Sequence, residues 1–299
     1  MTTYATAREV IRGHDLTGMN VIVTGGTAGL GAETVRVLAE AGASVVAASR
    51  SSGPDGPPGP AEFAELDLAS LASVDAFVRS WDRPLHLLID NAGVMRTPFG
   101  LTADGFERQF GVNHLGHFAL TTGLLPALRD AGRARVVVLT SRGHRRGDVD
   151  FDDPNYHRRP YDPWEAYGQS KTANALFAVG LTRRGVPANA VAPGAIQTGL
   201  MRHMPHDELS ERGWLDADGN RILRPDPAWK TVEEGAATTV WAAVAPELEG
   251  IGGAYLDNCA IAAPWTGDGE VPHGSYLPYA LDPDHAERLW TLSEKLTAR

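Results

Sequence analysis

Short apolar stretches alternate with segments of helical period along the chain. Residues 20–24 form a β-branched apolar run that ends at a glycine pair, and Leu30, Val35 and Leu38 follow at helical spacing. The same alternation predicts further strands at 44–49, 85–89, 135–140 and 188–191. It predicts further helices around 71–81, 104–128, 164–183 and 231–244. The resulting order is strand then helix, repeated along most of the chain.

Apolar strands that are separated by helices predict a parallel sheet covered on both faces, because each crossover lays a helix on one face. We therefore expect an α/β fold, a single-domain doubly wound parallel sheet of Rossmann type over residues 1–299. Residues 51–60 are rich in proline and glycine and predict an exposed loop. Residues 198–230 lack a steady period and predict a mobile substrate flap, and 257–299 predict a C-terminal extension.

The composition is that of a globular protein, with 43% hydrophobic and 21% charged residues. A formal net charge of −10 disfavours binding to nucleic acid. The single cysteine, Cys259, cannot form an internal disulfide, which fits a reducing compartment. The charged N-terminus differs from a signal peptide, and no apolar run approaches the roughly 18 residues of a membrane span. We expect a cytoplasmic protein without membrane or nucleic-acid partners, and a homo-oligomer is compatible with the sequence.

The glycine-rich turn after the first predicted strand is the first candidate site. Residues 24–31 read TGGTAGLG and lead into a helix, whose N-terminal amides and positive dipole attract a pyrophosphate. The glycines permit close approach, although their spacing differs from the usual G-x-G-x-x-G pattern. A tight structural bend is the alternative interpretation. The candidate cofactor-binding residues of this turn are Gly25, Thr27, Gly29, Leu30 and Gly31.

The end of the second predicted strand distinguishes the two nicotinamide dinucleotides, since an acid there binds the ribose hydroxyls of NAD. In this chain the strand ends at Ser49 and Arg50 and carries no acid. A guanidinium and a hydroxyl can both bind a 2′-phosphate, which favours NADP(H) over NAD(H) as the cofactor. The alternative is that Arg50 is a solvated loop charge.

Tyr167 and Lys171 lie four positions apart in a predicted helix and therefore share one face. A phenol with a pKa of about 10 exchanges protons poorly at neutral pH. An ammonium one turn away, together with an oxidised nicotinamide, favours the phenolate and predicts a lowered pKa for Tyr167. Ser141 follows the strand 135–140, at the sheet edge where open α/β sheets bind ligands. These three are the candidate catalytic residues; a chance surface pair and a strand-capping serine are the alternatives.

Other chemistry-bearing side chains are interpreted as structural. Residues 201–208 contain methionines, histidines and acids, but Pro205 interrupts the helix that would align the histidines, so no metal site is predicted. Met201, Met204 and Trp214 are expected to line the substrate site or to pack within the flap. Three histidines near the catalytic motifs are also expected to be structural: His114, His117 and His144.

Seven motifs, read in order along the chain, resemble the short-chain dehydrogenase/reductase family. They are TGGTAGLG at 24–31, DL at 67–68, NAG at 91–93, VNHLGHF at 112–118, TSRGH at 140–144, YGQSK at 167–171 and PGAIQT at 193–198. The similarity covers residues 19–198. The blocks LDLASLASVDAF, VNHLGHFALT and FDDPNYHRRPYDPWEAYGQSKTANALF most resemble the retinol-dehydrogenase-like and WW-domain-oxidoreductase-like branch.

The resemblance implies a role for each matched position. Tyr167 would be the general acid/base, Lys171 would lower its pKa and hold the nicotinamide ribose, and Ser141 would bind the substrate oxygen. Asn113 would hold a water that links Lys171 to solvent. The other matched positions would contact the cofactor: Asp67, Leu68, Asn91, Ala92, Gly93, Pro193, Gly194, Ile196 and Thr198.

The chain departs from the family pattern at three places. The run at 51–60 stands where relatives usually have a helix between the second and third strands. Thr27 and Ala28 occupy the turn position at which many NADP-dependent members have a basic residue. The hydrophobic N-terminal anchor of retinol-dehydrogenase relatives is missing, so a membrane-borne retinoid is not implied.

The sequence therefore predicts an NADP(H)-dependent oxidoreductase that transfers hydride between nicotinamide and the carbonyl or alcohol of a small, largely apolar substrate. Two other functions remain open. A dinucleotide-binding sensor or scaffold without turnover would share the fold, but the intact Ser141, Tyr167 and Lys171 disfavour it. A sugar-nucleotide epimerase or dehydratase would share the Tyr and Lys chemistry, but it usually has a differently spaced glycine turn and a larger C-terminal domain.

Overall fold

A computed structural model describes residues 4–53, 56–225 and 228–298. Its strands are β1 Asn20–Thr24, β2 Ser44–Ser49, β3 Glu62–Glu65, β4 Leu87–Asp90, β5 Arg135–Leu139, β6 Ala188–Ala192, β7 Ala195–Ile196, β8 Trp229–Lys230, β9 Tyr255–Asp257, β10 Ala260–Ile261, β11 Ala263–Pro264 and β12 Ser275–Tyr276. Its α-helices are α1 Ala7–Ile11, α2 Gly29–Glu40, α3 Leu71–Ser80, α4 Arg108–Phe110, α5 Gly116–Gly123, α6 Leu125–Asp130, α7 Pro163–Arg183, α8 His206–Glu211, α9 Val232–Val244 and α10 Pro283–Thr297.

The central sheet of the described residues has the strand order β10-β9-β6-β5-β4-β1-β2-β3. Its neighbouring strands are parallel, except that β9 and β10 form an antiparallel pair. The chain order reverses between β1 and β4, which is where such sheets open a ligand crevice at the carboxyl ends of their strands. The predicted doubly wound parallel sheet is confirmed.

Helices cover both faces of this sheet. Since alternate residues of a strand point to opposite sides, each strand packs in two separate clusters. Ile22 packs in one buried cluster with Phe118, whereas Val21 packs in a second cluster with Val35 of α2. The C-terminal extension begins in β9 and ends in α10, whose Trp290 ring lies 4.9 Å from the Phe118 ring. Within the described ranges, no helix has the length and apolar character that a membrane crossing requires.

Strand β3 was not predicted from the sequence. It lies at the sheet edge beside β2, and it exposes two glutamates and Phe63, whose side chain is 38% exposed. Such an edge strand lacks the continuous apolar run that marks a strand buried on both faces. The loop predicted at 51–60 contains no helix among its described residues, and Pro54 and Asp55 lie outside them.

The helix predicted over 104–128 is shorter and interrupted, because helical backbone runs from Arg108 through Gly123 and breaks at Leu124, before α6. It begins at Arg108, and a π-turn at Gly111–Leu115 precedes α5. Gly116 lets the chain pass close to the loop after β3, since a Cβ there would lie 2.5 Å from the Leu68 carbonyl oxygen. Pro126 then stands in the first turn of α6, where its missing N–H is tolerated.

The flap predicted at 198–230 contains more regular structure than its composition indicates. It includes a 3₁₀ turn at Gly199–His203, helix α8 and strand β8, which pairs with β7. Its buried side chains form one cluster with Tyr167: Met201, Met204, Leu209 and Trp229. These residues show no period along the sequence but meet in space, so they fix the base of the flap over α7. Asp226 and Pro227 lie outside the described residues.

Candidate active site

A cleft of about 1360 Å³ opens at the carboxyl edge of the sheet, beneath the flap. Small-molecule pockets usually have about 300 to 1,000 Å³, so this cleft can hold a dinucleotide together with a substrate. It is lined by all of the predicted cofactor-binding residues and by Ser141, Tyr167 and Lys171. Asn113 does not line it.

The glycine turn between β1 and α2 has a geometry that suits a phosphate. Gly25 and Gly29 have φ values of +65° and +54°, which side chains disfavour. A Cβ on Gly31 would lie 2.2 Å from the Gly25 carbonyl oxygen. Helix α2 has Ala28 at its N-cap, which offers no side-chain acceptor to the first amides. These amides are therefore available to a pyrophosphate.

Thr24 links the glycine turn to the loop after β4. Its hydroxyl oxygen accepts hydrogen bonds from the backbone N–H groups of Asn91 and Ala92, each at 2.9 Å. His117 Nε2 lies 2.8 Å from the same hydroxyl, and His117 Nδ1 lies 2.9 Å from the Asn113 carbonyl oxygen. Because that carbonyl can only accept, Nδ1 is protonated and Nε2 accepts the Thr24 hydroxyl. Sequence analysis gave Thr24 no separate role and treated His117 as structural. The buried linkage through His117 is a structural one.

Two arginines face the end of the cleft where β2 terminates. Arg50 is exposed and has no ion-pair partner among the described residues. Burial, and then the nearby charge of Arg50, lower the pKa of Arg202 at the base of the flap. Asp67 lines the same end, and its Oδ1 accepts from the Ala69 amide at 3.0 Å. An anion would relieve the repulsion between the two guanidinium groups. The sequence indicated Arg50 but not Arg202.

Helix α7 brings the candidate catalytic residues together below the end of β5. Tyr167 and Lys171 are each 4% exposed, and Lys171 Nζ lies 5.8 Å from the centre of the Tyr167 ring. Ser141 forms a hydrogen bond with the Tyr167 hydroxyl. Lys171 Nζ donates to the Leu139 carbonyl at 2.9 Å, so two of its three N–H groups are available to a ligand.

Burial dominates the ionisation of this pair. It raises the pKa of Tyr167 to about 12, although the hydrogen bond with Ser141 acts in the opposite direction. It also lowers the pKa of Lys171 to about 8. The neighbouring ammonium alone therefore does not give Tyr167 the low pKa that the sequence predicts. That prediction also includes the positive charge of an oxidised nicotinamide.

Asn113 lies behind the cleft wall. Its Nδ2 donates to the Val94 carbonyl at 2.9 Å and to Ser170 Oγ at 2.9 Å, and its Oδ1 accepts from the Val94 amide at 2.8 Å. Gly93 separates it from Lys171, since a Cβ there would lie 3.3 Å from Asn113 Oδ1 and 3.7 Å from Lys171 Nζ. Its carboxamide holds the loop after β4, and the water relay implied for it stays a prediction.

Aromatic and sulfur side chains surround the cleft beside Tyr167. The Trp164 ring stands edge-on to the Tyr167 ring at 6.3 Å, and the Trp214 and Trp229 rings meet edge-on at 4.7 Å. Two methionines complete this wall: Met95 and Met201. Within the described ranges, no group of three or more His, Cys, Asp or Glu side chains could hold a metal ion. This end of the cleft is therefore lined largely by apolar rings and sulfur atoms, with Arg146 and Arg212 against the Trp164 ring.

Cofactor binding is expected to slow amide hydrogen exchange more at the flap base, residues 198–204, than at its outer turn, residues 215–222. The base includes Thr198 and Met201, which line the cleft, whereas the outer turn is largely exposed. Exchange of the free protein and its NADPH complex, followed by mass spectrometry, checks this difference. A base already as protected as the central strands without ligand, or protection confined to the outer turn, would contradict it.

Asp90, at the end of β4, is expected to give the fold a pH-dependent stability. Burial raises the pKa of this carboxyl to about 8, although the hydrogen bond from Thr121 Oγ1 at 2.9 Å opposes it. Between about pH 4 and pH 8 the folded state keeps a proton that the unfolded state releases, so the free energy of unfolding falls as pH rises. From pH 5 to pH 8, the free energy of unfolding of Asp90→Asn should rise by about 1 to 3 kcal/mol relative to that of the parent. Urea unfolding at both pH values measures this, and equal pH dependence in the two proteins would contradict it.

A family model, two related sequences and one solved structure agree on the family of this chain. The family model described as short chain dehydrogenase matches residues 19–209. A "Probable oxidoreductase" of Streptomyces lividans is 48% identical over 92% of this chain and 96% of its own length. Retinol dehydrogenase 14 of Mus musculus is 36% identical over 93% of this chain and 85% of its own. The crystal structure of an uncharacterized protein from Mycobacterium Paratuberculosis superposes with a TM-score of 0.71 and 34% identity, covering 99% of this chain and 98% of that one. The family indicated by the seven motifs and the branch indicated by the three longer sequence blocks are confirmed.

Proposed function

The chain belongs to the short-chain dehydrogenase family, and we propose that it is an NADP(H)-dependent oxidoreductase acting on the carbonyl or alcohol group of a small, largely apolar substrate. One observation carries this proposal. Ser141, Tyr167 and Lys171 converge in a cleft that also contains the glycine turn and an apolar wall. An acid/base group, an oxygen-binding hydroxyl and a dinucleotide cradle thus open into the same space.

The residues present fit a nicotinamide dinucleotide. Gly31 packs too closely on the Gly25 carbonyl oxygen to carry a side chain, which keeps the turn tight, and the uncapped start of α2 offers amides to a pyrophosphate. Lys171 has N–H groups for ribose hydroxyls, and Thr198 stands near the turn, 3.7 Å from a Cβ built on Gly29. When bound, the nicotinamide supplies or accepts the hydride.

The protein's own part in the reaction is to hold the substrate oxygen and to move its proton. Ser141 Oγ accepts from the Gly143 amide at 3.0 Å, and its hydroxyl proton, which Tyr167 accepts when no substrate is bound, can turn to the substrate oxygen. In reduction, Tyr167 donates its phenolic proton to that oxygen, and the Lys171 ammonium stabilises the phenolate that remains. In oxidation, Tyr167 accepts the proton of the alcohol.

The burial of Lys171 favours catalysis over binding alone. Removing an ammonium from water costs free energy, as its lowered pKa shows. A dinucleotide-binding sensor needs no such group beside a buried phenol, since backbone amides suffice for a pyrophosphate. Perturbed ionisable groups in a cleft are typical of catalytic sites.

The preference for NADP(H) is supported by charge at the adenosine end. Arg50 and Arg202 both line the cleft there, and β2 ends without an acid. A 2′-phosphate carries almost two negative charges at neutral pH and binds guanidinium groups strongly.

Incubation of the pure protein with NADPH or NADH and a graded panel of ketones, aldehydes and quinones tests the proposal. We expect apolar carbonyl compounds to be reduced with NADPH, with one alcohol product formed per cofactor consumed. Mass spectrometry must identify the product, because cofactor loss alone does not establish reduction. NADPH binding without turnover across the panel would instead favour the sensor function.

A further inference from the structure

His144 is a buried hydrogen-bonding centre three residues after Ser141. Its Nδ1 lies 2.8 Å from the Ser141 carbonyl oxygen and 3.1 Å from the Tyr255 hydroxyl. Its Nε2 lies 3.2 Å from the backbone nitrogen of Leu277, which is 133 positions later in the chain. Its carbonyl oxygen accepts from the Tyr279 hydroxyl at 2.7 Å. One side chain thus joins the turn of Ser141 to the C-terminal extension.

These partners determine the protonation of the His144 ring. The Ser141 carbonyl can only accept, so Nδ1 carries a proton, and the Leu277 amide can only donate, so Nε2 is unprotonated. The ring is therefore neutral. Burial lowers the pKa of His144 to about 4, so it stays neutral at physiological pH.

The ring fixes Ser141 at its backbone. The Ser141 carbonyl accepts from the His144 amide at 3.0 Å as well as from Nδ1, and Ser141 Oγ accepts from the Gly143 amide. The same turn packs flat on the catalytic phenol, since a Cβ on Gly143 would lie 2.7 Å from Tyr167 Cε1. A shift of this turn would therefore change the distance between the Ser141 and Tyr167 hydroxyls.

Residues 270–279, which we call the C-terminal clasp, hold this turn from the other side. Arg145 donates to the Val271 and Ser275 carbonyls at 2.8 and 2.9 Å, and Arg142 Nη1 lies 2.8 Å from His273 Nδ1. Glu270 lines the cleft itself. The clasp and the Ser141 turn are thus joined by several hydrogen bonds, and the bond from Leu277 reaches the buried ring of His144.

We propose that His144 is a positioning residue, which fixes Ser141 through its carbonyl and makes the catalytic geometry depend on docking of the C-terminal clasp. His144 does not line the cleft and so acts through Ser141. This proposal rests on the proposed function, in which Ser141 holds the substrate oxygen.

Two isosteric variants separate the bonds of His144. His144→Asn places an amide N–H near the position of Nδ1 and can keep the bond to Ser141. His144→Gln places an amide oxygen near the position of Nε2 and can keep only the bond to the Leu277 amide. We expect His144→Gln to lower kcat by about tenfold to a hundredfold, since small misplacements of catalytic groups have effects of this size. His144→Asn should recover most of that loss, with NADPH affinity unchanged in both variants.

Each variant is also made in a Ser141→Ala background. Because His144 acts through Ser141, His144→Gln should add no further loss of kcat to Ser141→Ala. If His144 had a merely structural role, His144→Gln would lower kcat by the same factor in the unmodified protein and in Ser141→Ala. It could also lower thermal stability and NADPH binding together with kcat. Either result would overturn the proposal.

Crystal structures of the two variants give a readout that does not depend on turnover. The separation of Ser141 Oγ and the Tyr167 hydroxyl should lengthen in His144→Gln and not in His144→Asn. An unchanged separation in His144→Gln would overturn the proposal even if the parent reduces no carbonyl compound. Failure of the proposed function appears instead as an inactive parent, whatever the variants show.

Discussion

Tyr167→Phe is expected to abolish measurable turnover, a loss of about 10²- to 10⁴-fold in kcat, while NADPH binding survives. The phenyl ring keeps its contact with Trp164 and its place in the cluster beneath the flap. Only the hydroxyl and its hydrogen bond with Ser141 are lost. Steady-state rates on the best carbonyl substrate, together with NADPH titration by fluorescence, separate the two effects.

Tyr156→Phe provides a matched control. Tyr156 is also buried, its hydroxyl has no hydrogen-bond partner in the described structure, and it does not line the cleft. Its loss should leave kcat and NADPH affinity close to those of the parent. Turnover of Tyr167→Phe within about tenfold of the parent, below the usual contribution of a general acid, would remove Tyr167 from the acid/base role.

The parts of the fold that sequence analysis predicted well depend on local patterns. β1, β2, β4, β5 and β6 are apolar runs buried on both faces, and helix α7 keeps Tyr167 and Lys171 on one side by its period alone. The glycine turn was predictable because it is also a local pattern, a cluster of glycines between a strand and a helix.

The parts that sequence analysis did not predict depend on contacts between distant segments. The close approach of Gly116 to Leu68 is one example, because no local signal marks that approach. The link from His144 to Leu277 spans 133 positions, so a histidine in the TSRGH motif gave no indication of its partner.

The pKa of Tyr167 also depends on contacts between distant segments. The sequence showed an ammonium near a phenol and predicted a lowered pKa for Tyr167. The flap cluster and α7 bury the phenol, and that burial instead raises its pKa to about 12. Desolvation depends on everything that covers a group, whereas spacing along a helix reports only one neighbour.

Arg50→Ala is expected to weaken NADPH binding by some tenfold to a hundredfold and to leave NADH binding nearly unchanged. A charge-assisted hydrogen bond to the 2′-phosphate contributes roughly 1.5 to 3 kcal/mol, and about 1.4 kcal/mol corresponds to tenfold in affinity. Arg202 keeps part of the positive potential at this end of the cleft, which favours the lower part of that range. Titration of each variant with both cofactors measures the difference. Arg129→Ala is the matched control, since Arg129 is an exposed arginine that does not line the cleft.

Ser49→Asp tests repulsion where Arg50→Ala tests attraction. Ser49 is the last residue of β2 and lines the cleft, so a carboxylate there would repel the 2′-phosphate while accepting hydrogen bonds from the ribose hydroxyls of NAD. Its NADPH affinity should fall and its NADH affinity should rise, which moves the preference further than Arg50→Ala does. If the parent bound NADH as tightly as NADPH, or if Arg50→Ala weakened both cofactors alike, Arg50 would be a solvated loop charge and the assignment of NADP(H) would be wrong.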